Sequence, residues 1–122
     1  MPDIEEEIRR VCAERHYPAA YAAFMEWWRG ARLENTDPAF LTIVADLCNR
    51  QGDAARGDLL EEYLADHGTA VQTARALRIL DRRWFGTPKQ VRLGDIYRHA
   101  LDRHRELADD SEVADLGRRL LN

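Results

Sequence analysis

"LCNRQGDAARGDLLEEYL", residues 47–64, places two helix-compatible stretches on either side of a single break. Gly52 and Asp53 make that break, because glycine ends a helix at little conformational cost and a short polar side chain suits the turn that follows. Apolar residues recur at helical spacing on each side, Leu47 and Cys48 before the turn and Leu60 and Leu64 after it. The stretch reads as the centre of a helical hairpin.

The hairpin recurs along the chain. Sliding the sequence against itself by 36 residues superposes Ile4 on Phe40, Ile8 on Val44, Val11 on Leu47, Cys12 on Cys48, Phe24 on Leu60, Trp27 on Tyr63 and Trp28 on Leu64. A second step carries the register to Ala76, Leu80, Trp84, Ile96, His99 and Ala100, with Arg83 where an apolar residue is expected. A period of this size is the signature of an α-solenoid, in which one hairpin cannot bury its apolar face alone and stacks on the next. The expectation is an all-α, single-domain chain over residues 1–122. It has hairpins at about 3–32, 38–66 and 70–106, and a capping helix at 111–121.

Helix punctuation supports seven helices, at about 3–15, 18–32, 38–50, 54–66, 70–84, 88–106 and 111–121. Asp37 before Pro38 is an N-cap followed by the favoured first-turn proline. Thr69 with Gln72, and Thr87 with Gln90 after Pro88, have capping-box spacing, and Ser111 is placed to cap the last helix. No stretch carries the sustained alternation or β-branched enrichment that a strand needs.

Hydrophobic residues form 45% of the chain and charged residues 33%, enough to fill a core at this length and too apolar for wholesale disorder. The longest apolar runs span only a few residues, which excludes a membrane span, and "MPDIEEEIRR" is too acidic for a targeting peptide. The expected location is cytoplasmic. Cys12 and Cys48 lie outside any metal-ligand or CxxC spacing and read as reduced thiols.

Charge is unevenly distributed: residues 1–70 carry a net −7, residues 71–106 +5 and residues 107–122 −2, within a total of −4. The basic block contains the helical row Arg75, Arg78 and Arg82, with Arg92, Arg98, Arg103 and Arg105 further on and Trp84 and Phe85 close by. Such a row suits phosphates and such aromatics suit base stacking, so a nucleic-acid partner is the alternative reading of the sequence. Against it stand the acidic total and the lack of any recognisable reader motif.

Catalysis finds little in the residue pattern. His16, His67, His99 and His104 are scattered, and there is no HExxH, no ExxH pair, no Gly-rich phosphate loop and no GxSxG. Asp95 and His99 are four apart, a spacing that is ordinary on a solvated helix face. The expectation is a protein without enzymatic activity, metal or cofactor.

The units resemble tetratricopeptide repeats. Residues 40–66 carry the likeness most closely: a Gly-Asp turn between two helices, with the small residues Ala55 and Gly57 early in the second. Tyr17, Ala20 and Phe24 resemble the aromatic, small and aromatic positions of that second helix. The resemblance departs at His16, which stands where a turn glycine belongs, and the repeat-ending proline is missing. It implies an adaptor, chaperone or inhibitor that holds a helix or tail of another protein in a groove lined by the first helix of each hairpin. The groove-facing candidates on the shared register are Glu6, Arg10, Thr42, Asp46, Asn49, Arg78 and Arg82, with Trp27 or Phe85 as apolar anchors. Arg10, Asp46 and Arg82 fall at equivalent positions, where Asp46 would bridge both arginines in a salt-bridge ladder. Lys89 is the only lysine, so the carboxylate-clamp specificity of the family is not expected.

The paired tryptophans divide on the same register. Trp28 continues the stripe Tyr17, Tyr21, Phe24 and matches Leu64 and Ala100, so it is expected in the core. Trp27 matches Tyr63 and His99, amphipathic side chains that suit a half-buried flank.

Overall fold

A computed structural model describes residues 3–121. Among the described residues the chain is all-α, with seven α-helices and no strand. They are α1 (Ile4–Ala13), α2 (Tyr17–Trp28), α3 (Pro38–Arg50), α4 (Ala54–His67), α5 (Ala70–Trp84), α6 (Gln90–Arg103) and α7 (Ser111–Leu120). The order and lengths are compatible with a helical-repeat arrangement. Two short 3-10 turns, Leu33–Asn35 and Arg105–Asp109, were not expected; the second ends the sixth helix earlier than its periodicity suggests.

The helix ends show which capping signals act. The Asp37 carboxylate accepts from the Ala39 amide at 3.0 Å. Thr69 and Gln72 form a reciprocal capping box, at 3.2 Å from the Gln72 amide and 2.9 Å from the Thr69 amide, which satisfies two amides that would otherwise lack partners. The second expected box is rearranged: the Gln90 side chain accepts from the Gly86 amide at 2.7 Å, and α6 begins two residues after Pro88. Asp110, rather than Ser111, caps α7 by accepting from the Glu112 and Val113 amides. Its carboxylate reaches two amides at once, which a serine hydroxyl one position later does not. At the first hairpin turn Arg15 takes the left-handed conformation with φ of 63°, where the repeat pattern calls for glycine at the next residue.

The chain divides into two compact units, residues 1–60 and 61–122, and the division falls inside α4. In the first, α1 and α2 pack as a hairpin and α3 packs on both. Its core holds Ile8, Phe24, Phe40, Leu41, Val44 and Leu47, all fully or almost fully buried. In the second, α5, α6 and α7 pack pairwise around Leu77, Leu80, Trp84, Leu93, Val113 and Leu116. Each such side chain contributes about 1.5–3 kcal/mol relative to exposure.

The tryptophan assignment is reversed. Trp27 is 8% exposed and Trp28 only half-buried. Trp27 meets the Phe40 ring edge-on at 5.1 Å between centroids, whereas Trp28 lies against Phe24 at the rim. The cause lies along α2. Tyr21 donates its hydroxyl to the Asp53 carboxylate at 2.7 Å, and the Arg50 guanidinium sits over the Tyr17 ring at 4.7 Å. Both tyrosines are held where their polar partners are, at the edge of the packing face, so Trp28 on the same stripe stays there too. Ala20, Phe24 and Trp27 turn inward instead. Trp27 is therefore a core residue.

Candidate interaction surfaces

In the first unit, the expected groove residues lie on α1 and α3. Glu6 and Arg10 line a shallow depression with Asp3 and Glu7. Thr42, Asp46 and Asn49 follow one another at helical spacing along α3, partly exposed. The Arg10–Asp46 rung is not formed: Arg10 pairs with Glu14 at 3.1 Å and Asp46 with Arg50 at 2.8 Å, each one turn along its own helix. Partners four residues apart on one helix are in reach without any tertiary constraint, and they capture these side chains first. Thr42 turns its hydroxyl back to the Pro38 carbonyl at 3.1 Å.

The α1 and α3 faces meet at Cys12. Burial raises its thiol above the ordinary value, the Asp46 carboxylate raises it further, and the Arg50 guanidinium opposes both. A thiol pushed in this direction is a poor nucleophile. Cys48 is buried, and both cysteines are free.

The second unit holds Arg78, Arg82 and Phe85, so the nine expected residues divide six and three between the units. Part of the basic block is neutralised within the unit. Arg75 donates to both Glu61 oxygens at 2.9 and 3.2 Å, and Glu61 is fully buried. Arg78 pairs with Glu112 of α7 at 3.2 Å, Arg92 grips Glu62 with two bonds of 2.9 Å, and Arg98 pairs with Asp95 at 3.1 Å. Arg103 donates to the backbone carbonyls of Ala65 and Gly68 at 3.0 and 2.7 Å, capping the end of α4. Arg82 is exposed. Five of the eight arginines of residues 71–106 are engaged with carboxylates or carbonyls of the same unit.

Phe85 is 45% exposed, with the Arg119 guanidinium 5.3 Å from its ring centroid. Arg119 also bonds Asp81 at 2.9 and 3.3 Å, joining α7 to α5. Val91 and Leu121 are exposed as well, at 77% and 47%. Val91 and Leu120 line a depression of about 500 Å³ together with Gly86, Gln90, Gly94 and Arg98. The sequence reading named only Phe85 here. The signal it passed over was Val91 and Gly94 inside a helix otherwise patterned for burial at Leu93, Ile96, Tyr97 and Ala100.

His67 and His99 line another depression with Asp66 and Asp95. Asp95 is engaged by Arg98, and among the described residues no three His, Cys, Asp or Glu side chains are grouped to hold a metal ion. No helix among the described residues is long and apolar enough to cross a membrane. Comparison of the chain with protein-family models, with curated proteins and with solved structures gives no match.

Proposed function

We propose that the chain is a non-catalytic protein-interaction module of tetratricopeptide-like build, acting as an adaptor, chaperone or inhibitor toward another protein. One observation carries the reading: five of the eight arginines of residues 71–106 are satisfied by carboxylates and carbonyls of their own unit, while Phe85, Val91 and Leu121 are left facing solvent. Guanidinium groups already paired within the unit have less to gain from phosphates, whose binding draws its affinity from released counterions. Solvent-facing apolar side chains instead favour a partner that removes them from water.

Two measurements test the reading. Fluorescence anisotropy with labelled single- and double-stranded oligonucleotides, at low and near-physiological salt, is expected to show no binding at the higher salt. Tagged full-length chain recovered from its native host is expected to carry a stoichiometric protein that survives nuclease treatment. Salt-sensitive oligonucleotide binding, with no nuclease-resistant protein, would replace this reading with the nucleic-acid one.

A further inference from the structure

We draw no further inference here: the strongest candidate, the depression between α6 and α7 lined by Val91, Gly94, Arg98 and Leu120, is an unpartnered apolar patch, and nothing in the structure shows what covers it.

Discussion

The side chain of Tyr97 on α6 occupies the space where one at position 117 on α7 would begin. Leu116 and Val113 complete the buried face that α7 turns toward its neighbours. Gly117→Ala gains about 1 kcal/mol of helix propensity but forces the tyrosine ring to move in a packed interior, at about 1–3 kcal/mol. Net destabilisation in urea melts is expected. Combining it with Tyr97→Phe, which removes the hydroxyl, should recover part of the loss. A stabilised Gly117→Ala would show that α7 has room to withdraw.

Truncation of the two tryptophans should separate them. Trp27→Ala removes a buried ring stacked edge-on against Phe40 and is expected to cost about 3–5 kcal/mol. Trp28→Ala empties a half-buried rim position and should cost less than half as much. Chemical denaturation followed by circular dichroism avoids the fluorescence changes that either substitution brings.

The arginines of the basic row should differ in kind. Glu61 is fully buried and Arg75 remains a quarter exposed, so Arg75→Ala removes two charged hydrogen bonds from a buried carboxylate and is expected to cost about 1.5–3 kcal/mol. Arg78→Ala breaks an ion pair to a Glu112 side chain that is 68% exposed and should cost under about 1 kcal/mol. Equal melting midpoints for the two variants would contradict the burial of Glu61.

The Tyr21–Asp53 bond makes the stability of the first unit depend on pH at both extremes. Burial pushes the Asp53 carboxyl up, but the Tyr21 hydroxyl and the Arg56 amide and guanidinium together outweigh it and hold the group below its ordinary value of 3.8. Its contribution is therefore present above that value and is lost as pH falls through the lower folded-state value. The Tyr21 hydroxyl is raised above 10.0, chiefly by its bond to Asp53 and then by burial. Its contribution is present below 10.0 and is lost as pH rises through the folded value. Tyr21→Phe is expected to cost about 1–2 kcal/mol near neutrality, to begin acid unfolding at higher pH, and to remove the alkaline step due to Tyr21. Urea titrations across pH 2 to about 11.5 check all three.

The seven helices were legible because their signals are local: Gly52 with Asp53, Asp37 with Pro38 and Thr69 with Gln72 each act within a few residues. The orientation of α2 was not, because it depends on Asp53 and Arg50, which belong to other elements. The same limit hid the fate of the arginines, since Glu62 is 30 residues from Arg92 and Asp81 is 38 from Arg119. Glu61 was nonetheless readable. The 36-residue register aligns it with Met25 and Tyr97, so a carboxylate at an apolar position should have prompted a search for a buried cation. The groove candidates were chosen by register alone, which gives a helix face but not the neighbour along the same helix that claims each charge.

Arg103 satisfies the end of α4 through the carbonyls of Ala65 and Gly68, and the His104 ring nitrogen Nε2 lies 2.9 Å from the same Gly68 oxygen. Every amino acid offers that carbonyl, so no exchange at 65 or 68 creates or deletes the acceptor. A genetic screen for suppressors of Arg103→Ala therefore has no reciprocal change to find at those positions. Tolerance at this junction is one-sided: the donor can be lost by a single codon change, and only a new donor supplied from elsewhere in the chain restores it.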